Sequence, residues 1–67
     1  MPYVNIKITD ESVSDESKQL LISGVTRLLQ ATLDKNPETT VVVIEEVSTA
    51  KWGIGGEQVS LRRLSTK

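Results

Sequence analysis

Apolar and polar residues alternate over the first nine positions of the chain, which is typical of a β-strand with one covered face. Val4, Ile6 and Ile8 share one face of this strand, and the residues between them are polar or aromatic. The alternation predicts a first strand over residues 1–9. A polar connection follows and ends near Ser14.

Helical spacing replaces the alternation after Ser14, which is a favourable N-cap residue. Asp15 and Glu16 then place negative charge at the positive end of a helix. Large apolar residues recur at spacings near 3.6 and predict one apolar stripe, formed by Leu20, Leu21, Val25, Leu28, Leu29 and Leu33. Gly24 either permits close packing of this helix on a sheet or has no role. Pro37 ends the helix within residues 34–37, because proline disfavours helical geometry at the residue before it.

A second strand is predicted over residues 39–47, and its centre, Val41–Ile44, is a continuous apolar run. Such a run indicates a strand that is covered on both faces. One helix covers only one face, so another subunit is the simplest cover for the other. Strand, helix and strand in this order predict a right-handed βαβ unit with parallel strands.

The last part of the chain carries Gly53, Gly55 and Gly56 between Trp52 and Val59, which predicts a glycine turn or short hairpin. A phosphate-binding loop is not expected, since its glycines open a helix directly after a first strand. Residues 60–66 fit a strand and a short helical turn equally well. We therefore predict an α+β fold with a βαβ unit and a C-terminal hairpin, in a single domain over residues 1–67.

Composition adds an expectation about assembly. A chain of 67 residues buries only roughly 60% of the surface that its unfolded form exposes, which leaves its stability marginal. The chain has no cysteine and no histidine, so disulfides and the usual zinc ligand sets are excluded. Association with further chains is the remaining means of stabilisation. We therefore expect a homo-oligomer without a metal.

The formal net charge of −1 argues against a nucleic-acid partner. Arg62, Arg63 and Lys67 make the end of the chain locally basic, and a solvated tail explains them better than a nucleic-acid contact. No apolar run has the roughly 20 residues of a membrane helix, and the first residues lack a signal-peptide pattern. These features predict a cytoplasmic protein without a membrane partner.

The absence of histidine and cysteine also excludes Ser-His-Asp and Cys-His catalysis. Carboxylates, lysines, Tyr3 and the chain terminus remain as candidate bases, and only a terminal amine has an ordinary pKa near neutrality, about 7.7–8.0. Pro2 follows the initiator methionine, whose removal would expose the proline's secondary amine. Pro2 is thus either a catalytic base or a residue that simply fits the start of a strand.

Three further side chains have two interpretations each. Glu45 and Glu46 are adjacent in the second strand and point to opposite faces, so they cannot form a carboxylate dyad within one chain. We expect each to be an interface or surface charge, paired with Lys7, Lys51 or an arginine. Trp52, the only tryptophan, either packs in a core or forms a pocket wall.

Four segments together resemble the 4-oxalocrotonate tautomerase family, and the resemblance extends over nearly the whole chain. They are the opening MPYVNIKI, the helix start SDESK at 14–18, VIEEV at 43–47 and WGIGGE at 52–57. The resemblance implies a β-α-β subunit that pairs with a second one in a common sheet, with three such dimers forming a hexamer. It also implies an isomerase that uses neither cofactor nor metal.

The resemblance assigns roles to two residues. Pro2 matches the amino-terminal proline that acts as the base, taking a proton from a 2-hydroxy-2,4-dienoate and returning one to a distant carbon. The product is the conjugated ketone, so the expected substrate is a small enol or keto acid. Trp52 matches an aromatic wall residue of the family, which is usually phenylalanine.

The chain departs from the family at two arginine positions, which hold Val13 (or Ser12) and Val41 here. Neither valine can bind a carboxylate or polarise a carbonyl. One explanation is that a cation from a neighbouring subunit replaces the missing arginines. The candidates are Lys7, Arg27, Lys51, Arg62 and Arg63, and among them we predict Lys7 and Arg63 as substrate-binding residues. A less anionic substrate is another explanation. The alternative function is a non-catalytic or weakly active assembly subunit, including one in a hetero-oligomer.

Overall fold

The computed structural model describes residues 1–65 and confirms the α+β fold with its βαβ unit and C-terminal hairpin. The elements are β1 Tyr3–Thr9, α1 Asp15–Leu33, β2 Val41–Val47, β3 Gly53–Ile54, β4 Glu57–Gln58 and α2 Val59–Ser65. Short 3₁₀ turns, Pro37–Thr39 and Thr49–Lys51, precede β2 and β3. Thr66 and Lys67, the end of the predicted basic tail, lie outside the described residues.

The two long strands are parallel, as predicted, and pair in register from Tyr3 opposite Val41 to Thr9 opposite Val47. Backbone hydrogen bonds continue the pairing by one residue at each end, from Val41 N–H to the Pro2 carbonyl (3.0 Å) and from Asp10 N–H to the Val47 carbonyl (2.9 Å). Both strands begin two residues later than predicted. At β2 the reason is local, because Pro37–Thr39 form a 3₁₀ turn instead of extended chain.

Both ends of α1 form as the sequence predicts. The Ser14 hydroxyl accepts a hydrogen bond from Ser17 N–H at 3.1 Å, which satisfies one of the free donors of the first turn. At the other end Asp34 adopts a left-handed conformation (φ 57°) and donates its N–H to the Gln30 carbonyl at 3.0 Å. The helix therefore ends at Leu33, directly before the segment 34–37 in which the sequence places its end.

The single apolar stripe predicted for α1 is wrong. Val25 and Leu29 are half-buried together with Ile22, and these three residues lie on the side of α1 that faces the sheet. Leu20 and Leu28 lie on a different side and are 66% and 63% exposed. Gly24 is exposed on that same outer side, so it does not serve close packing on the sheet.

The C-terminal segment forms the predicted hairpin. Gly55 and Gly56 have φ values of +61° and +83°, the pair of positive values that a two-residue type I′ turn requires. Val59 N–H donates to the Trp52 carbonyl at 2.7 Å, and Val59 is the one buried hydrophobic residue among those described (7% exposed). The chain enters α2 at Val59, which decides between the two structures left open for this segment.

The protomer is elongated, with principal extents of 45 × 25 × 16 Å. Its Cα radius of gyration is 15.5 Å, against about 11 Å for a compact domain of this length. The C-terminal helix packs on the second 3₁₀ turn and on β4, beyond the end of the two-stranded sheet. None of the helices within residues 1–65 is long and apolar enough to cross a membrane. Large surfaces of the protomer thus remain uncovered by its own chain.

Candidate active site

Pro2 lies at the amino end of β1 and is half-buried. Its carbonyl accepts the hydrogen bond from Val41 N–H, which fixes the residue beside the start of β2. Met1, in contrast, is 89% exposed and projects from this end of the sheet. With Met1 attached the Pro2 nitrogen belongs to an amide, and its removal would leave a secondary amine at a fixed point of the fold.

Lys7 lies in the middle of β1, on the sheet face opposite α1. Its ammonium group donates to Glu45 Oε1 at 2.7 Å and to Asn5 Oδ1 at 2.9 Å. Asn5 Nδ2 donates to the same Glu45 oxygen at 2.6 Å and to the Tyr3 hydroxyl at 3.3 Å. The hydrogen bonds from Lys7 and Asn5, and the charge of Lys7, hold the pKa of the Glu45 carboxyl below its ordinary value of 4.5.

Glu46 points to the other face of the sheet, as the alternation predicts. It accepts a hydrogen bond from Lys18 of α1 at 2.7 Å, and this bond raises the pKa of Lys18 above 10.5. The expected pairing of Glu45 with Lys7 is confirmed as well. Since the two carboxylates lie on opposite faces and are each paired, they do not form a common acid–base site.

Trp52 follows β2 and is half-buried at the base of the glycine hairpin. Its backbone is fixed on both sides: the N–H donates to the Thr49 carbonyl at 3.4 Å and the carbonyl accepts from Val59 N–H at 2.7 Å. Gln58 adds a side-chain hydrogen bond from Nε2 to the Ala50 carbonyl at 2.8 Å. The indole is therefore carried by a rigid segment beyond the carboxyl end of the sheet.

Arg63 of α2 reaches back to the loop between β1 and α1. Its Nη2 lies 3.5 Å from Glu11 Oε1, and the Thr9 hydroxyl donates to the other Glu11 oxygen at 2.6 Å. The hydrogen bond from Thr9 and the charge of Arg63 lower the pKa of Glu11 below 4.5. Arg63 is thus held at the carboxyl end of the sheet, beside the loop where the family's first arginine is absent.

Glu11 is the residue of the candidate site that the sequence did not indicate. In the chain it is one of several polar residues in a connecting segment, and its partner Arg63 is 52 positions away. No local pattern relates the two residues. Only the folded C-terminal helix, whose structure the sequence left open, brings them together.

The candidate residues lie at opposite ends of one protomer. Pro2 precedes Tyr3, whereas Trp52 and Arg63 lie beyond Thr9 and Val47. A strand of seven residues separates the two ends by about 20 Å. The positions of the missing family arginines are divided in the same way, with Val41 beside Pro2 and Val13 at the far end.

Residues 1–65 of a single protomer enclose no pocket. The structure brings Arg63 to the loop before α1, but it does not bring Arg63, Lys7 or Trp52 to Pro2 within one chain. A site that combines these groups needs at least two protomers.

Comparison with known proteins agrees with the sequence resemblance. The family model for tautomerase enzymes matches residues 2–62. A probable tautomerase, K2, of Dickeya dadantii is 62% identical over 63 residues, which cover 94% of each chain. The crystal structure of DmpI from Helicobacter pylori has a TM-score of 0.88 at 40% identity, covering 97% of this chain and 100% of that one. A heterohexameric 4-oxalocrotonate tautomerase from Chloroflexus aurantiacus has a TM-score of 0.78 at 25% identity, with 90% and 95% covered.

Proposed function

Since the chain belongs to the 4-oxalocrotonate tautomerase family, we propose that it is a cofactor-free tautomerase with Pro2 as its base. The substrate is a small acid that exists in enol and keto forms, of the 2-hydroxydienoate or enolpyruvate type. The observation that carries the proposal is the position of Pro2. Its carbonyl is fixed by Val41 at the end of the sheet, so removal of Met1 would place a secondary amine at a defined point.

The proposed reaction moves one proton. The Pro2 nitrogen takes the proton of the enol hydroxyl, the electrons shift through the conjugated system, and the same nitrogen returns a proton to a carbon of the substrate. A terminal amine has an ordinary pKa of about 7.7–8.0, so a modest decrease makes it neutral at physiological pH. Partial burial and a neighbouring cation both favour the neutral amine. The proline ring also restricts the direction in which this base can approach the substrate.

The remaining groups of the proposed site come from a neighbouring protomer, because they lie at the far end of the Pro2 protomer's own sheet. In this arrangement the partner's Trp52 provides an apolar wall and the partner's Arg63 binds the substrate carboxylate. We propose a homo-oligomer, with a hexamer as the complete assembly. The elongated protomer, in which Val59 is the one buried hydrophobic residue described, supports an obligate assembly.

Arg63 is the better of the two predicted carboxylate-binding residues. Its ion pair with Glu11 at 3.5 Å is long, so a substrate carboxylate can compete for the guanidinium group. Lys7 is held at 2.7 Å from Glu45 in the middle of the strand. The assignment of Lys7 to substrate binding remains a prediction, and we expect Lys7 to contribute less to substrate affinity than Arg63.

The test is ketonisation of 2-hydroxymuconate or phenylenolpyruvate by purified protein whose intact mass shows that Met1 is absent. Pro2→Ala is expected to lower kcat/KM by about 10²- to 10⁴-fold, the range for loss of general acid–base catalysis. Alanine is also small enough to permit removal of Met1, so the variant exchanges one terminal amine for another. An unchanged rate would exclude a specific role for the proline in the mechanism.

The matched control is the same sequence with Met1 retained, in which the Pro2 nitrogen is an amide. We expect its kcat/KM to be no higher than that of Pro2→Ala, and its circular dichroism spectrum to match that of the wild type. Full activity of this form would contradict the proposal. Retention of Met1 in the cellular protein would instead favour the non-catalytic assembly subunit.

A further inference from the structure

The loop between β1 and α1 is acidic, although it includes one of the two positions at which the chain lacks a family arginine. Residues 10–16 contain no lysine or arginine and four carboxylates, those of Asp10, Glu11, Asp15 and Glu16. The next cation along the chain, Lys18, is paired with Glu46 at 2.7 Å. Residues 36–43, which include the second position, also have one carboxylate, Glu38, and no cation. Both segments therefore bring negative charge where the family has positive charge.

Glu11 is the carboxylate of this loop that contacts the proposed substrate-binding cation. Its Oε1 lies 3.5 Å from Arg63 Nη2, and its Oε2 accepts a hydrogen bond from the Thr9 hydroxyl at 2.6 Å. The chain turns directly after Glu11, where Ser12 adopts a left-handed conformation (φ 59°). The Glu11 and Arg63 side chains are 56% and 55% exposed, so a ligand can reach both of them. In the free protein, one side of the guanidinium group is thus already occupied by a carboxylate.

An acid that binds to Arg63 also meets Glu11. One carboxylate of the ligand can replace Glu11 at Arg63, because the guanidinium group has five N–H donors in a planar fork. The bond from Thr9 goes to the Glu11 oxygen that does not face Arg63, so it still holds Glu11 nearby when the ion pair opens. A second carboxylate on the ligand would add a further negative charge close to Glu11 and its acidic neighbours. Like charges at this separation repel, so the second carboxylate weakens binding.

We propose that Glu11 is a specificity-determining residue, through which the site selects an acid with one carboxylate over the corresponding diacid. This inference rests on the proposed function and narrows its substrate class to a monocarboxylic enol or keto acid with an uncharged remainder. The uncharged groups of the proposed site, the half-buried Trp52 and Val41 beside Pro2, suit such a remainder. The selection combines attraction of one carboxylate to Arg63 with repulsion of a second one by Glu11.

Two unreactive acids with the same carbon chain can measure this selection. Sorbate (hexa-2,4-dienoate) has one carboxylate, and trans,trans-muconate (hexa-2,4-dienedioate) has one at each end. Neither has the 2-hydroxyl group whose proton the proposed base removes, so binding is measured without turnover. Trp52 is the only tryptophan of the chain, so ¹⁵N-labelled protein has a single kind of indole N–H group. The shift of its NMR signal during a titration reports binding at the carboxyl end of the sheet and gives a Kd for each acid.

We expect the wild type to bind sorbate about three-fold or more tightly than muconate, after allowance for the two equivalent carboxylates of muconate. Glu11→Gln should lower the Kd of muconate by about 3- to 10-fold and that of sorbate by less, so that the preference is lost. Glu11→Asp keeps the charge and should keep the preference. The matched control is Glu16→Gln, which removes the same charge from the exposed first turn of α1. Its ratio of the two Kd values should differ from the wild-type ratio by less than about two-fold.

Tighter binding of muconate than of sorbate by the wild type, or an unchanged Kd ratio in Glu11→Gln, would overturn the proposal. An indole signal that shifts with neither acid would overturn it as well, because no carboxylate would then bind beside Trp52. These results do not depend on activity. A fully active Pro2→Ala variant together with the expected Kd ratios would therefore overturn the proposed function alone. An inactive Pro2→Ala variant together with an unchanged Kd ratio in Glu11→Gln would overturn the role of Glu11 alone.

Discussion

The two ends of the β1–β2 sheet differ in chemistry. The amino end holds Pro2, the proposed base, beside the uncharged Val41. The carboxyl end holds an aromatic residue, Trp52, and an arginine, Arg63, which is paired with Glu11. Under the proposed function, one end would supply the base that moves a proton, and the other would supply the groups that bind an anionic, conjugated acid.

If the proposed roles are correct, neither end is a complete site. A base without a nearby cation does not hold a carboxylate in place, and a cation with an apolar wall does not transfer a proton. In the proposed homo-oligomer, the association of protomers would join the unlike ends. We therefore interpret the uncovered surfaces of the protomer and its divided site as consequences of the same assembly.

Removal of the arginine at the carboxyl end should have a large effect on substrate binding. Arg63→Met is expected to lower kcat/KM by about 10- to 100-fold, mainly through KM, because a hydrogen bond to a charged group contributes roughly 1.5–3 kcal/mol. Steady-state kinetics with a 2-hydroxydienoate measures this effect. The charge-matched control is Arg27→Met, in the middle of α1 and away from both ends of the sheet, for which we expect a change below about two-fold. Equal losses in the two variants would contradict a specific role for Arg63.

Lowering the pH should distinguish Glu11, at the carboxyl end of the sheet, from Glu45, in its middle. The expected effect is smaller than that of Arg63→Met. The pKa values of Glu11 and Glu45 are both lowered, so each carboxylate stabilises the fold above pH 4.5, and this contribution is lost as the pH falls below 4.5 through the lowered pKa. We expect Glu11→Gln and Glu45→Gln to lower Tm slightly at pH 7 and to converge with the wild type near pH 3. At pH 7 only Glu11→Gln should also change KM, because it releases Arg63. A change in KM for Glu45→Gln alone would place the carboxylate-binding group at Lys7.

The fold was largely predictable because its signals are local. Ser14 caps α1, Asp34 ends it with a left-handed conformation, and two consecutive glycines at 55 and 56 fix the hairpin. The assignment of the apolar side of α1 failed for a physical reason. Leu20 and Leu28 have the spacing of core residues, and periodicity does not distinguish a residue that faces its own sheet from one available to another chain.

The site was predictable only in part. Pro2 and Trp52 follow from the family resemblance, and the structure gives each a fixed backbone position. Their separation within one protomer follows from the parallel pairing that the sequence predicts, whereas the exact register comes only from the structure. The pair of Arg63 with Glu11 depends on α2, a segment for which strand and helix were equally good interpretations.

The most direct measurement of the central claim is complementation between two defective chains. Pro2→Ala replaces the proline amine with a less suited one and Arg63→Met lacks the cation, so each variant alone is expected to be weakly active. When the two are co-expressed and co-purified through different affinity tags, random assembly into the proposed hexamer should give about a quarter of the sites both intact groups, Pro2 from one chain and Arg63 from the other. We expect recovery of about a quarter of wild-type kcat/KM. Activity no greater than the average of the two separate variants would contradict a site shared between protomers.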